Sequence, residues 1–346
     1  MRGVDSTSAS THHGGERLRR LAAGFLGAAT WLWVAAVLAA AVLLWWAGDR
    51  WWPSTVLLFG PRWTLGLPAV VLLPASLVLD RRLLWPLGVG IVLYLVPLLG
   101  FRASLPRMER PDDLVVLTLN VARAEQLTMP LTELVARSGA DLVAVQECPH
   151  RVRRPTEGLD VEGYHAHSHM SLCFWSRFPF RVGTMVGETV VPDSATGMAV
   201  RYEVALGGAD TVSVTNLHLP TPRPGLEYIR QGKLKEGATQ LERYRRLRIR
   251  AARDARMVVD RGGPDRIVLG DFNAPPESHI QRQYWSGYSN AFARAGLGFG
   301  FTRYNGWIRA RIDHVLLAGD LEAVSAVVGD DVGSDHRPVR VRIRRR

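Results

Sequence analysis

Cysteine is scarce in this chain: Cys148 and Cys173 are the only two among 346 residues. Two thiols cannot make a disulfide framework, and they cannot make a cysteine-rich zinc site. A single bridge stays open in an oxidising compartment, but two buried thiols are the expectation. Charge is absent from residues 21–48, "LAAGFLGAATWLWVAAVLAAAVLLWWAG". That run is too long for a signal-peptide core, and no convincing cleavage site follows it. A soluble buried helix of that length would show a polar face. No short-period repeat is present. Acid is also in deficit, with 32 Asp and Glu against 43 Lys and Arg and a net charge of +11. Such a balance favours phosphate-bearing partners or an anionic membrane surface without specifying either.

What is present falls into two parts. Residues 1–20 are polar and end in "GERLRR", the pattern of a disordered cytoplasmic tail. Residues 21–101 are mostly apolar and read as a membrane domain. About 20 apolar residues cross the hydrocarbon core, so 21–48 is ample. Residues 64–79 and 83–100 supply two further spans, the first of them short and holding two prolines, which membrane helices tolerate better than soluble ones. Trp45, Trp46, Trp51, Trp52 and Trp63 gather around the first loop, as interfacial aromatics do. Arg17, Arg19 and Arg20 precede the first span, and Arg81 and Arg82 fill the turn between the second and third. The bias predicts an inside N-terminus and a multi-pass cell-membrane protein whose C-terminal domain, residues 102–346, is extracytoplasmic.

That domain alternates strand-like runs with helical ones. Strands are predicted at 114–120, 141–147, 171–180, 197–206, 210–219, 265–273, 311–317 and 336–343. A helix is expected over 130–140 and a long basic one over 226–259, with a break at Gly232 or Gly237. Mixed strands with helices between them imply a layered α/β fold. Polar residues stand within, at or just past these strands: Asn120, Glu147, Asn216, His218, Asp271, Asn273, Asp313 and the pair Asp335–His336. Strand ends of one sheet can meet at one edge, where loops build sites.

The order "LN…VQE…NLHLP…GDFN…RIDHV…SDHRPV" resembles the endonuclease/exonuclease/phosphatase superfamily over roughly residues 112–344. "FWSRFPF" is similar to a strand edge of the same superfamily. The resemblance implies a four-layer α/β/β/α sandwich of two packed mixed sheets, an α/β (α+β) fold, here preceded by transmembrane helices. It also implies Mg²⁺ or Mn²⁺ and phosphodiester cleavage. Glu147, Asn120 and Asp335 would be the metal set. Asp271 and Asn273 would hold the attacking water or a phosphate oxygen. His336, oriented by Asp313, would act at the phosphate, with His218 near the leaving group. Some members carry an acid two residues after the first Asn; here that place is Ala122.

The leading reading is a membrane-anchored, metal-dependent phosphodiesterase, a nuclease, with nucleic acid or another phosphodiester as substrate and the bilayer as its support. The basic run Arg243 to Arg256 would track phosphates, or else be a solvated helix face. The alternative is a sphingomyelinase-like lipid phosphoesterase. An apolar loop near the site would mark it, and "YWSGYSNAFARAGLGFGF" (284–301) is the candidate, with an ordinary packed insertion as the bland reading. A binding module with a dead site is the third class. Protein partners are not legible.

Overall fold

The computed structural model describes residues 7–104, 107–122, 126–149, 158–187, 198–208 and 210–346. These fall into two compact units: Met1–Leu44 with Pro61–Gly100, and Trp45–Gly60 with Phe101–Arg346. The boundary at Gly100/Phe101 adjoins the one expected at 101/102. Residues 45–60, expected in the membrane domain, belong instead to the second unit.

In the first unit, Arg17–Trp46, Arg62–Leu79 and Arg81–Leu98 are long and apolar enough, by length and composition, to cross a membrane. Phe25, Leu32, Val70, Val71, Val78 and Trp85 are all exposed, a surface that suits lipid better than water. Polar contacts tie the helices inside. The Trp33 indole donates to the Leu65 carbonyl and the Tyr94 hydroxyl to that of Trp63, each at 2.8 Å. The expected disordered tail is helical from Thr7, since the first helix runs Thr7–Trp46 without a break. Extending an existing helix is far cheaper than nucleating one, so the long apolar run carries the polar segment with it.

The second unit holds two six-stranded mixed sheets. The first has the order Leu321–Val328, Val339–Arg345, Leu114–Asn120, Leu142–Gln146, Leu172–Ser176, His165–His169. The second has the order Ser289–Asn290, Asp313–Ala318, Arg266–Asp271, Asp210–His218, Met198–Gly207, Phe180–Val186. Each has one parallel pair, Leu114–Asn120 beside Leu142–Gln146 and Asp210–His218 beside Arg266–Asp271. A parallel pair needs a crossover. Helix Leu131–Ser138 makes the first, and helices Arg223–Arg230 and Leu234–Asp260 make the second. The break between those two helices is at Gly232, whose φ of 78° suits glycine, while Gly237 stays helical.

Strand side chains alternate between faces, and that alternation builds the layers. Val116, Ala144 and Phe174 of the first sheet meet Val200, Tyr202, Val214 and Leu269 of the second in the central core. Leu117, Leu119, Val143 and Val145 point the other way, onto Leu134 and Val135 of the first crossover helix. Leu217 and Val268 likewise meet Ala252, Ala255 and Val259 of the second. The result is the expected helix–sheet–sheet–helix sandwich.

One expectation is corrected here. Cys148 and Cys173 are not thiols but a disulfide, with Cα atoms 5.9 Å apart. Cys173 pairs with Val145, and the chain turns at Glu147, so Cys148 is swung back over the neighbouring strand. The aromatic stretch 284–301 takes the bland reading: Trp285 and Phe292 are buried, one against Phe272 and the other in the central core.

Candidate active site

The two parallel pairs end at the same edges as their partners, and the polar residues stand at those ends. Asn120 is in register with Gln146, and His218 with Asp271. Asp313 opens the antiparallel strand opposite Asp271. Gly270 lets its strand approach the parallel neighbour Asp210–His218 closely: a Cβ there would collide with the Leu217 carbonyl. Among the described residues, the non-glycines with positive φ are Ala122, Glu147, Met170 and Asn273. All but Met170 belong to this edge. Such conformations cost energy and persist where the surroundings enforce them.

Asp271 is the hub. Its Oδ2 accepts from Asn120 Nδ2 at 3.0 Å and from Asn273 Nδ2 at 3.1 Å, and its Oδ1 from the Asn273 amide at 2.7 Å. The same Oδ2 lies 3.6 Å from His218 Nε2 and 4.0 Å from His336 Nε2. Asn120 Nδ2 also donates to Glu147 Oε1 at 3.1 Å, and that oxygen is 3.8 Å from His218 Nε2. On the other side, His336 Nδ1 lies 2.8 Å from Asp313 Oδ2, and its Nε2 is 3.8 Å from Asp335 Oδ1. These contacts bring Asn120, Glu147, His218, Asp271, Asn273, Asp313, Asp335 and His336 into one cluster.

Several details differ from the roles expected from the sequence. Asn120 meets the carboxylates through its amide nitrogen, while its oxygen accepts from the Ala122 amide at 2.8 Å. In this arrangement it joins Glu147 to Asp271. Asn273 spends its Nδ2 on Asp271 and on the Leu219 carbonyl at 2.8 Å, so it holds Asp271 in place. Asn216 lies beneath the site, accepting from Gln146 Nε2 at 2.7 Å and donating to the Cys173 carbonyl.

Sequence reasoning missed three contributors. Ser334 Oγ donates to the Asn120 carbonyl at 2.8 Å and accepts from the His336 amide at 3.0 Å. Buried His314 donates from Nε2 to the Ala274 carbonyl at 2.9 Å, and burial pushes its pKa down to about 4, so it is a neutral brace. Arg303 places Nη2 2.7 Å from Asp335 Oδ2 and Nη1 2.8 Å from His336 Nε2. No motif marks it; its only signal was a cation following the Gly- and aromatic-rich stretch.

Burial and charge sort the titrating groups. Burial raises the pKa of Asp271, the Asp313 charge raises it further, and the two histidines only partly oppose this. Burial alone would lower His336, but the charge and hydrogen bond of Asp313, with Asp271 behind, push it up to about 9. Burial would raise Asp313, yet His336 holds it down. A proton on Nε2 and the Arg303 contact are alternatives, because a guanidinium can donate only to an unprotonated ring nitrogen.

A raised histidine pKa stabilises the fold fully below the ordinary value of about 6.5, and that stability is lost as pH rises through about 9. The melting temperature of the chain in EDTA should therefore exceed that of Asp313→Asn near pH 6, with the gap closing above about pH 9. A gap constant across that range would dissolve the pair.

Hard divalent cations take oxygen donors. Glu147 and Asp335 fit: their side chains are 39% and 36% exposed, and Asp335 Oδ1 is a buried atom without a hydrogen bond among the described residues. Ligand atoms of Asp271, Asp313 and His336 also lie within 4.8 Å of one another. That buried trio suits proton handling better, because Asp313 and the imidazole already satisfy each other and a protonated ring cannot ligate.

The sequence profile of the Endonuclease/Exonuclease/phosphatase family matches residues 117–336, more than half of the chain. The chain belongs to this family. Solved structures similar to it include an endonuclease/exonuclease/phosphatase from Beutenbergia cavernae, 17% identical, covering 67% of this chain and 72% of that one with a TM-score of 0.44. The human Nocturnin catalytic domain with bound sulfate is 16% identical, covering 69% and 97% with a TM-score of 0.47. A humanized D. rerio TDP2 is 13% identical, covering 67% and 99% with a TM-score of 0.47. No curated protein matches the chain. Endonuclease/exonuclease/phosphatase family members are in general hydrolytic phosphoesterases that depend on a divalent metal, and two packed mixed sheets are their fold.

Proposed function

We propose that this chain is a membrane-anchored, divalent-metal-dependent phosphodiesterase and that nucleic acid is its substrate class. The observation carrying the proposal is Asp271, a buried carboxylate with a raised pKa, flanked by two imidazoles and backed by Asp313. Glu147 and Asp335 would hold Mg²⁺ or Mn²⁺. When bound, such a cation polarises a phosphoryl oxygen and offsets charge that develops on it. Asp271 takes the proton of the attacking water at Oδ2, its raised pKa bringing it closer to the working range of a general base. Asn120 and Asn273 keep that oxygen aimed. Asp313 holds the His336 ring at Nδ1 and leaves Nε2 facing the site as a cationic donor to the phosphate. His218 Nε2, between Asp271 and Glu147, holds a proton for the leaving oxygen. Arg303 offsets a phosphate charge once it leaves His336.

Nucleic acid is preferred over lipid because Trp285 and Phe292, the buried rings of the aromatic stretch that would mark a lipid enzyme, are packed inside, and of the large apolar side chains in that stretch Leu297 alone is exposed. The basic helix adds little. Arg245 and Arg246 are paired with Glu242, Arg250 and Arg253 lie by Asp254, and Arg256 is bound to Asp260, as on an ordinary solvated face. An extracytoplasmic site, on a chain of three spans, is supported by the arginines flanking them and by the disulfide, since disulfides persist in oxidising compartments.

The test is a screen of the full chain in detergent with Mg²⁺ or Mn²⁺ against single- and double-stranded DNA, RNA, sphingomyelin and phosphatidylinositol. Nucleic-acid cleavage that EDTA abolishes is expected. Lipid turnover alone would replace the substrate class, and no hydrolysis of any of them would remove the activity. Protease added to intact cells should reach residues beyond 101; protection until lysis would invert the topology.

A further inference from the structure

Residues 45–60 run from the end of the first apolar helix towards the second, yet they are part of the unit that carries the site. Asp49 ties them there. Its carboxylate is 2% exposed and fully engaged. Oδ1 accepts from the backbone amides of His279 at 2.8 Å and Ile280 at 3.3 Å. Oδ2 accepts from Ser278 Oγ at 2.7 Å and pairs with Arg248 Nη1 at 2.9 Å. Gly48, with φ of 51°, makes the approach possible, because a Cβ there would lie 2.8 Å from the His279 amide nitrogen.

Arg248 is equally buried, and its guanidinium lies over the Phe59 ring, 5.6 Å from the centroid. Phe59 comes from the same inter-helix segment. The other end of the guanidinium reaches the site: Nη2 donates to the Asn273 carbonyl at 3.0 Å. Asn273 sits in a left-handed turn at φ 45° and holds both carboxylate oxygens of Asp271. Its amide and side chain face Asp271, and its carbonyl faces Arg248. The turn is thus clamped from both sides, and one clamp is anchored outside residues 101–346.

We propose that Asp49 and Arg248 are positioning residues for hydrolysis: the segment between the first two apolar helices completes the catalytic unit and fixes the Asn273 turn, and with it Asp271. The anchor region is then a working part of the enzyme. Its kinetic consequence rests on the phosphodiesterase reading; its structural consequence does not. Removing one partner of a buried ion pair leaves the other charge uncompensated, whereas removing both need not destabilise. This separates holding the fold from holding the turn.

The experiment uses the full chain in detergent micelles, with bis(p-nitrophenyl) phosphate and Mn²⁺ for kinetics. Hydrogen exchange is followed over 271–281 and, as reference, over 114–120. Asp49→Asn should speed exchange in 271–281 but not in 114–120, and lower kcat about 10-fold or more with KM little changed, since misplacement by about 1 Å can cost ~10²-fold. Asp49→Asn/Arg248→Met should regain the wild-type melting temperature but not kcat, because nothing then grips the Asn273 carbonyl. Wild-type exchange in Asp49→Asn, or a double variant that recovers kcat along with stability, would overturn the proposal. If the unsubstituted chain hydrolyses nothing, the activity reading fails, and the exchange comparison still decides whether the segment holds the turn.

Discussion

Glu147→Gln is expected to remove divalent-cation binding and hydrolysis together while leaving the fold intact. The substitution keeps the shape and an acceptor for Asn120 Nδ2, and it deletes only the charge that a hard cation requires. The surroundings do not depend on that charge. The side chain is 39% exposed, so no buried ion is stranded. The backbone at φ 53° is held next door by the Cys148–Cys173 bridge and by the Cys148 amide, which donates to the Ser171 carbonyl at 3.0 Å. Outer-shell residues already change metal affinity by about 10- to 100-fold, so a direct ligand should cost at least ~10²-fold. Calorimetric titration with Mg²⁺ or Mn²⁺ reads the affinity, and thermal unfolding in EDTA should match the unsubstituted chain. Unchanged affinity and rate would take Glu147 out of the site.

Much of the sandwich was legible because its inner strands are written plainly. Leu114–Asn120, Leu142–Gln146 and Arg266–Asp271 are runs of Val, Leu and Ile that a helix of the same length would not bury on both faces, and each stops at or beside a polar residue. The outer strand His165–His169, "HAHSH", is polar and sits at a sheet edge, so no hydrophobic period announces it. Leu321–Val328 is hidden for another reason. Its Ala, Ser and Glu are poor strand formers, and its neighbour Val339–Arg345 recruits it.

The site shows the same division. Its carboxylates and imidazoles stand at the ends of strands that sequence patterns can find. The residues that hold them in place do not. Asp49 reads as a lone acid beside interfacial tryptophans, and nothing local says that its partner is Arg248. Arg248 reads as one cation in a basic run. Arg303 and Ser334 act through contacts that exist only once hairpin and strand ends have met. The cysteine bridge was missed because it depends on the left-handed turn at Glu147, a backbone state that a glutamate does not advertise.

His336→Ala should lower kcat by about 10²- to 10⁴-fold with little change in KM, the range typical of a positioned acid–base group. The ring is fully buried and faces Asp271 across 4.0 Å, so its Nε2 can serve the reacting phosphate but offers little general binding surface. Asp313→Asn should show a smaller loss of the same kind. Asparagine can still accept from Nδ1, but the charge that overcomes the cost of burying a cation is gone. The His336 pKa, about 9 with Asp313 in place, should then fall. If the imidazolium is the working form, activity is lost as pH rises through that pKa, so the alkaline limb of the kcat profile should move to lower pH in Asp313→Asn. The two substitutions should not multiply. The orienting and charging role of Asp313 runs through His336, and residues that work as one unit share one free-energy term; its charge also raises the Asp271 pKa, so any loss in the double variant beyond that of His336→Ala reads this second route. His336→Ala/Asp313→Asn should therefore match His336→Ala in kcat. Steady-state kinetics across pH, with circular dichroism to confirm folding, supply the comparison. Losses that multiply would mean that Asp313 serves something other than the imidazole, and an unmoved alkaline limb would mean that its charge does not set the proton on His336.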